Sequence, residues 1–236
     1  MQADRRLAIM QPYFFPYIGY FQLMASVDAF VVYDDVAFIN RGWINRNRIN
    51  VNGAPHMITV PLQRASQNRR ICDIDVAPDA AWRAKLLRTI HQSYARAPQF
   101  ARVFPMIECV MLHDAANLAD FLLHGLTVLR DHLRLKTEIV ATSRRYGNAE
   151  LKAQARIVDI ALKERAGIYV NAAGGRELYN VDDFAAAGLQ LKFLTPGLAR
   201  YAPVRGAFVP ALSIIDVLMC NDDASVDHLL GCATLS

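Results

Sequence analysis

The chain has 236 residues, of which 53% are hydrophobic and 20% are charged, and its formal net charge at pH 7 is +4. This composition is typical of a soluble globular protein, and no apolar run approaches the eighteen or so residues that a membrane-spanning helix needs. The arginines and lysines form no dense basic run, so nucleic-acid binding is not expected. A small anionic ligand remains compatible with this charge.

The amino terminus and the cysteines indicate a cytoplasmic protein. The apolar segment that follows the charged N-terminal residues is only about four residues long, which is too short for a signal peptide. Cys72, Cys109, Cys220 and Cys232 are scattered, as expected of unpaired thiols in a reducing compartment. Neither they nor the six histidines show metal-ligand spacing, so no metal site is predicted, and no cofactor is indicated.

The first elements in the chain are predicted to be a strand, a helix and a second strand. Leu7–Met10 is an apolar run typical of a buried strand, and Pro16 to about Ser26 has the pattern of a short helix. Ala29–Tyr33 is a second apolar run that ends at two acidic residues. Such a unit favours two parallel, neighbouring strands joined by a right-handed crossover.

A β-hairpin is predicted next, within RGWINRNRINVNGAPHMITVPL. The Asn52-Gly53 step between two alternating runs is a strong signal for a two-residue turn. In an extended chain, odd-numbered residues from Trp43 to Asn47 would point to one face and even-numbered residues from Ile44 to Arg48 to the other.

A helical block and a second α/β region complete the chain. Residues from about 80 to 135 are predicted to be helical, because apolar residues recur there at helical spacing. Strands are then predicted at Glu138–Ala141, Ile168–Val170 and Gln190–Leu194, with helices at Glu150–Ala166 and after an N-cap at Ser213. The predicted fold class is α/β, a parallel Rossmann-like sheet with a β-hairpin insertion and a helical block. We expect residues 1–236 to form a single domain in which residues 80–135 are a helical subdomain.

The segment QPYFFPYIGYF joins the first strand to the first helix. A tight loop that enters a helix exposes backbone N–H groups and the positive end of the helix dipole, which together favour an anion. Pro16 suits the first helical turn, and Gly19 permits a close approach by a phosphate or by another backbone. Packing of the aromatic rings into the core, without a ligand, is the alternative. The binding residues predicted here are Gln11, Tyr17, Gly19 and Tyr20.

Asp34 and Asp35 follow the second strand, at the edge where ligands bind in open parallel sheets. One carboxylate can orient a ligand amine or act as a general base while the other caps the turn, although turn capping by both is the alternative. His56 is the histidine nearest to this region in the sequence, and it is either a general base or a strand-edge residue bonded to backbone. The predicted catalytic residues are Asp34, Asp35 and His56.

Arginines, amides and a tryptophan in the hairpin suit an anionic sugar ligand. Arginine can grip phosphate in a bidentate fashion, and the indole ring can stack on a sugar or a base. A solvated arginine face and a core-facing tryptophan account for the same pattern. A glycine pair after a later strand can wrap a second anion or form a plain left-handed turn. The binding residues predicted in these two segments are Arg41, Trp43, Asn45, Arg46, Arg48, Gly174 and Gly175.

Tyr17-Ile18-Gly19-Tyr20 resembles the H-x-G-H loop of the nucleotidylyltransferase superfamily, with both histidines replaced by tyrosine. In that superfamily the histidines stabilise the nucleotide phosphates during adenylyl or cytidylyl transfer. Tyrosine hydroxyls donate one hydrogen bond each but stay neutral near pH 7. This likeness covers about residues 7 to 36, and it implies a nucleotide-binding architecture without the standard chemistry.

A broader likeness covers residues 7–220. The segments AIMQPYFFPYIGYF, YDDVAFINRGWINRNRI with the following TVPL, YVNAAGGRELY and FVPALSIIDVLM resemble, in order and spacing, the WbqC-like family of bacterial proteins. The resemblance implies a place among the proteins of O-antigen and other surface-glycan synthesis, where modified amino sugars occur. It also implies a role in attaching an acyl or aminoacyl group, such as glycine, to a sugar amine.

Two functions follow from these resemblances. The first is a transferase whose partners are a nucleotide-linked amino sugar and an activated acyl donor. The second is a catalytically altered, nucleotidylyltransferase-like protein that binds a nucleotide or a partner enzyme. A homo-oligomer is compatible with either function.

Overall fold

The computed structural model describes residues 5–79 and 81–236. The strands are β1 Arg6–Met10, β2 Ala29–Val32, β3 Arg46–Val51, β4 Ala54–Thr59, β5 Leu62–Gln63, β6 Asp75–Val76, β7 Glu138–Val140, β8 Ile168–Ala172, β9 Gln190–Thr195 and β10 Thr234–Leu235. The helices are α1 Ile18–Ala25, α2 Ala81–Tyr94, α3 Phe100–Leu112, α4 Leu118–His132, α5 Ala153–Lys163, α6 Val181–Ala186, α7 Ile214–Cys220 and α8 Asp223–Leu230.

The central sheet has six strands in the order β10-β9-β8-β1-β2-β7. Every neighbouring pair from β9 to β7 is parallel, and β10 pairs antiparallel with β9. β3 and β4 form a separate hairpin, and β5 with β6 forms a second small antiparallel pair. The predicted class, α/β with a Rossmann-like parallel sheet, is confirmed.

The first two strands are parallel neighbours, as predicted. Leu7–Met10 pairs in parallel register with Ala29–Val32. The helix begins later than predicted, at Ile18 rather than Pro16. Tyr17 is the N-cap, with a ψ of 166° that belongs to extended backbone, so Pro16 lies outside the helix.

The predicted hairpin is present, but its strand begins later than the alternation suggested. Asn52 and Gly53 have φ angles of 53° and 87°, which is the left-handed turn that matches strand twist. β3 starts only at Arg46, and Arg41 before it has a φ of 61°. Trp43 therefore precedes the strand, in a segment of turns. The predicted alternation of side chains between the two faces of the hairpin does not extend to Trp43.

The predicted helical block contains α2, α3 and α4. Its predicted first residue, at position 80, lies outside the described residues. Leu86, Ile90 and Tyr94 of α2 are buried in a cluster that also holds Ala8 and Phe30 of the sheet. The block thus shares one continuous hydrophobic core with the sheet, while its status as a subdomain stays a prediction.

The two faces of the sheet carry different helices. Ala8 and Phe30 belong to the hydrophobic cluster that holds residues of α1, α2, α3, α4, α7 and α8, whereas Leu7 and Val31 belong to the cluster that holds residues of α5 and α6. This division follows from the alternation of side chains along each strand. The sheet is therefore a buried middle layer, which explains its nearly continuous apolar strands.

Later elements match the sequence with small shifts. α5 is shorter than the predicted Glu150–Ala166 because Lys152 is its N-cap. Ser213 caps α7 as predicted, since its Oγ accepts the N–H of Ile215 at 3.3 Å. Within residues 5–79 and 81–236, no helix has the length and apolar character to cross a membrane. The signal-peptide argument partly concerned residues 1–4, which lie outside the described residues.

Candidate functional site

A cavity of about 430 Å³ lies at the carboxyl edge of the central sheet. It is bounded there by Met10 at the end of β1, Ala172 at the end of β8 and Pro196 just after β9. β1 and β8 are neighbours, but the chain leaves β1 toward β2 on one side and leaves β8 toward β9 on the other. The cavity thus lies at the topological switch point, where open α/β sheets bind ligands, and its volume suits a small molecule.

The aromatic loop and the hairpin meet at this cavity. Its complete lining is Met10, Tyr13, Pro16, Tyr17, Gly19, Tyr20, Leu23, Trp43, Asn47, Arg48, Ala172, Pro196, Leu198 and Ala211. Of the residues predicted from the sequence, the structure brings together Tyr17, Gly19, Tyr20, Trp43 and Arg48.

Backbone and side-chain hydrogen bonds hold the loop against β3. Asn47 is buried, and its Nδ2 donates to the carbonyls of Phe14 and Phe15 at 3.2 and 2.8 Å. Ser213 donates through Oγ to the Phe15 carbonyl and through its backbone N–H to the Arg48 carbonyl, both at 2.8 Å. Because these bonds converge on one junction, Arg48 is fixed beside the loop that precedes α1.

Arg48 brings a positive charge to the cavity. Its guanidinium carbon lies 5.5 Å from the centroid of the Trp43 ring, within cation–π distance. Its Nε is buried and has no hydrogen-bond partner among the described residues. Since Arg48 lines the cavity, its guanidinium is suited to bind an anionic ligand there.

Three phenols contribute to the lining, and burial raises the pKa of Tyr13, Tyr17 and Tyr20. They therefore stay protonated near neutral pH and act as hydrogen-bond donors. The Tyr20 hydroxyl already donates to the Gln11 carbonyl at 3.0 Å. The hydroxyls of Tyr13 and Tyr17, which also line the cavity, have no hydrogen-bond partner among the described residues.

Gly19 lies directly under the ring of Tyr17. A Cβ at this position would lie 2.4 Å from Cε2 of the Tyr17 ring. The space above Gly19 is therefore taken by a tyrosine ring, and the predicted close approach of a phosphate would require that ring to move.

Asp34 and Asp35 lie in a buried polar network beside the end of β2. Asp34 accepts hydrogen bonds from the Thr142 hydroxyl at 2.8 Å and the Ser143 N–H at 3.0 Å. Asp35 accepts from the Ser143 hydroxyl at 2.5 Å and pairs with Arg156 at 2.5 Å. Neither aspartate belongs to the cavity lining. Their catalytic role stays a prediction, and their contacts fit a structural one.

The other predicted residues also lie outside the lining: Gln11, Arg41, Asn45, Arg46, His56, Gly174 and Gly175. Arg46 Nε donates to the Gly42 carbonyl at 3.0 Å, and Asn45 Nδ2 donates to the Val60 carbonyl at 2.9 Å. His56 is exposed on β4. Backbone contacts thus use the polar groups of Arg46 and Asn45.

The glycine pair follows β8 in a short 3₁₀ turn, Ala173–Leu178. A Cβ at Gly175 would lie 2.4 Å from Nδ2 of Asn171, so this glycine makes room for an amide side chain. Gly174 has open space around its Cα. The predicted anion-wrapping role of this loop stays a prediction.

Sequence reasoning missed several lining residues. Tyr13 was within the aromatic segment and shares its signal, but Pro196, Leu198 and Ala211 carry none because apolar residues of this kind occur throughout a core. Among residues 5–79 and 81–236, no three His, Cys, Asp or Glu side chains converge as metal ligands do. The four cysteines are free thiols.

Comparisons with known proteins identify the family of the chain. The WbqC-like protein family matches residues 11–228. An uncharacterized protein of Mycobacterium tuberculosis (strain ATCC 25618 / H37Rv) is 27% identical over 230 residues, which cover 97% of this chain and 99% of that protein. No solved structure matches the chain significantly. Because the family match spans most of the chain, including the aromatic loop, the hairpin and α7, the chain belongs to the WbqC-like protein family.

Proposed function

We propose that this protein binds a nucleotide-linked amino sugar and transfers an acyl or aminoacyl group to its amine in bacterial surface-polysaccharide (O-antigen) synthesis. The observation that carries the binding step is the meeting of Trp43, Tyr17 and Arg48 around one cavity at the β1/β8 switch point. We also propose a cytoplasmic location, in keeping with the free thiols.

Each polar group of the cavity suits one part of such a ligand. The guanidinium of Arg48 can donate to a phosphate oxygen. The Trp43 ring, 40% exposed, offers a face on which a sugar or base can stack. The hydroxyls of Tyr13 and Tyr17 can donate to sugar oxygens.

The transfer itself requires few protein groups. The sugar amine attacks the carbonyl carbon of the activated donor, a C–N bond forms, the bond to the leaving group breaks, and the proton lost by nitrogen passes to solvent or to the leaving group. A phenol such as that of Tyr17 can donate to the oxyanion that develops on the carbonyl. The amine must arrive unprotonated, because no lining residue among those described carries a carboxylate or an imidazole.

That same absence favours a second candidate, a catalytically altered protein that binds a nucleotide or a partner enzyme without turnover. The two tyrosines that occupy the H-x-G-H positions, Tyr17 and Tyr20, both line the cavity. Incubation with a nucleotide amino sugar and a series of acyl donors, followed by mass spectrometry, separates the candidates. An acylated sugar supports the transferase, and saturable binding without product across all donors supports the binding protein.

Binding is tested by replacing Arg48 with Ala. We expect the affinity for a nucleotide amino sugar to fall by about 2 kcal/mol, because a charged hydrogen bond to phosphate is lost. Arg46→Ala is the matched control, since Arg46 lies two residues away on β3 with its guanidinium on the carbonyls of Arg41 and Gly42. Isothermal titration of both variants measures the difference. Equal affinities for wild type and Arg48→Ala would remove the cavity from the binding site.

A further inference from the structure

The mouth of the cavity carries exposed apolar side chains. Trp43 and Leu198 line the cavity and are 40% and 37% exposed. Ile39 is 51% exposed and lies close to Trp43, since a Cβ at Gly42 would be 3.1 Å from Ile39 Cγ2. Single exposed apolar residues are ordinary, but a group of them around a cavity mouth marks an interaction surface.

The hairpin extends this apolar surface. Met57 is 39% exposed and stands directly opposite Arg48 in the register of β3 and β4. Opposed residues of an antiparallel pair project from the same face, and Arg48 lies within cation–π distance of Trp43. The apolar side chains around the mouth, here called the mouth patch, are therefore Ile39, Trp43, Met57 and Leu198.

The chain that carries most of the mouth patch is basic. Residues 36–72 contain no Asp, Glu or Lys and six arginines: Arg41, Arg46, Arg48, Arg64, Arg69 and Arg70. The last of these lie beside the patch, because the Phe38 N–H donates to the Arg69 carbonyl at 2.9 Å. Among residues 5–79 and 81–236, only Arg70 of the six pairs with a carboxylate, that of Asp73. The positive charge is thus largely uncompensated, which favours an acidic partner.

The chemistry of this surface suits a protein rather than a membrane. Trp, Met and Arg are enriched at the cores of protein interfaces and Lys is depleted there, as in residues 36–72. Binding to a lipid surface requires apolar side chains that enter it by about 5–10 Å. Ile39 is the most exposed member of the mouth patch, yet nearly half of its surface is covered by the protein. The patch is therefore too shallow to enter lipid.

The cavity has room for one of the two proposed reactants. Its volume of about 430 Å³ lies near the lower end of the range for ligand pockets, about 300–1,000 Å³. A nucleotide sugar and a second nucleotide-sized donor, such as a coenzyme A thioester, do not fit in it together. The acyl group is then delivered from outside, through the mouth.

We propose that the mouth patch and the arginines beside it dock an acidic carrier protein, which presents the acyl group as a thioester on a phosphopantetheine arm. The inference deepens the proposed function and rests on it. The sugar amine attacks the thioester carbonyl carbon, a C–N bond forms and the C–S bond breaks. The thiolate that leaves on the arm takes the proton that the nitrogen loses.

The test presents the same acyl group on two donors. Bacterial acyl carrier proteins and coenzyme A are each loaded with a glycyl group and incubated with the intact protein and nucleotide amino sugars. We expect kcat/KM to be about tenfold or more higher for a carrier protein than for coenzyme A, because complementary charge speeds association. Fluorescence anisotropy of the labelled carrier measures docking directly, and the affinity should fall as the salt concentration rises.

Acidic substitutions test where the carrier docks. Ile39→Glu and Arg41→Glu should each weaken carrier binding about tenfold or more, because they place negative charge against an acidic partner. Leu162→Glu and Arg165→Glu are the matched controls. Leu162 is 49% exposed, and Arg165 is exposed with a φ of 55°, close to the 61° of Arg41. Both controls lie in or just after α5, which packs in the other hydrophobic cluster, and should leave carrier binding unchanged.

The outcomes separate this inference from the proposed function. Equal kcat/KM for coenzyme A and the carrier, or carrier binding that the Ile39→Glu and Arg41→Glu variants retain, would overturn the inference and leave the proposed function standing. Sedimentation of the protein with phosphatidylglycerol vesicles, without binding to any carrier, would also overturn it and assign the patch to lipid. Carrier binding without product from either donor would overturn the transfer and the donor role of the carrier together.

Discussion

Asp35, which follows β2, forms a buried ion pair with Arg156. Asp35 and Arg156 have side-chain exposures of 3% and 4%. Arg156 Nε also donates to Asn148 Oδ1 at 3.0 Å, and its guanidinium carbon lies 5.0 Å from the centroid of the Tyr33 ring. Because Arg156 belongs to α5, the pair ties that helix to the edge of the sheet. Loss of either partner would leave a buried charge without a counter-ion.

Replacing Asp35 with Asn should lower the free energy of unfolding by about 3 kcal/mol for this reason. Asp73→Asn is the control, since Asp73 pairs with Arg70 in a half-exposed bridge, and such a loss costs about 0–1 kcal/mol. Urea unfolding of the two variants measures both values. A small loss for Asp35→Asn would show that the pair is not structural and would favour a direct role for Asp35 in catalysis.

At the scale of elements, the hairpin tip is held by a contact between two glycines. Gly53 in the β3–β4 turn lies against Gly206, in the segment between β9 and α7. Asn50 Nδ2 donates to the Arg205 carbonyl at 3.0 Å beside this contact. The segment that closes one side of the cavity is thereby fastened to the hairpin that carries Arg48.

Gly206→Ala should therefore be more destabilising than Gly188→Ala. The two glycines have nearly the same φ, 74° and 75°, so an alanine at either carries the same left-handed strain, about 1–2 kcal/mol. Only at Gly206 does the added Cβ meet backbone, 2.6 Å from Gly53 Cα, whereas the space at Gly188 is open. We expect an additional loss of about 1–3 kcal/mol in chemical denaturation. Equal losses would mean that the hairpin tip does not press on this segment.

For the whole molecule, stability should depend on pH through two histidines of α4. Burial lowers the pKa of His124, and the neighbouring His113 lowers it further. Burial also lowers the pKa of His132. The Nε2 atoms of His124 and His132 are buried and have no hydrogen-bond partner within the described part of the chain. Both rings are thus more easily protonated in the unfolded chain than in the folded protein.

As the pH falls below the ordinary value of 6.5, the unfolded state binds protons that the folded state does not bind. Stability is therefore complete above this pH and declines as the pH falls toward the lowered values. Thermal unfolding between about pH 5 and pH 8 should show this slope. His124→Gln should reduce it, while His56→Gln, a change at an exposed position of β4, should not. Identical slopes for wild type and His124→Gln would contradict this account.

The sequence by itself determined the local architecture. Apolar runs placed β1, β2, β8 and β9, the Asn52-Gly53 step placed the hairpin turn, and Ser213 placed the start of α7. Each of these signals is local. A strand buried on both faces requires apolar residues, a left-handed turn favours Asn and Gly, and an unpaired N–H at a helix start favours a capping side chain such as Ser. The aromatic loop after β1 and the arginines and tryptophan of the hairpin segment indicated Tyr17, Gly19, Tyr20, Trp43 and Arg48 as binding residues.

Only the tertiary structure decided which of these residues share a cavity. The placement of β8 beside β1 puts the cavity at the β1/β8 switch point, whereas Asp34 and Asp35 lie outside its lining. Strand order depends on contacts between residues more than a hundred positions apart, such as Leu7 with Tyr169, and no local pattern encodes them. The pairing of Asp35 with Arg156 likewise depends on the packing of α5 against the end of β2, which the residues around Asp35 do not encode.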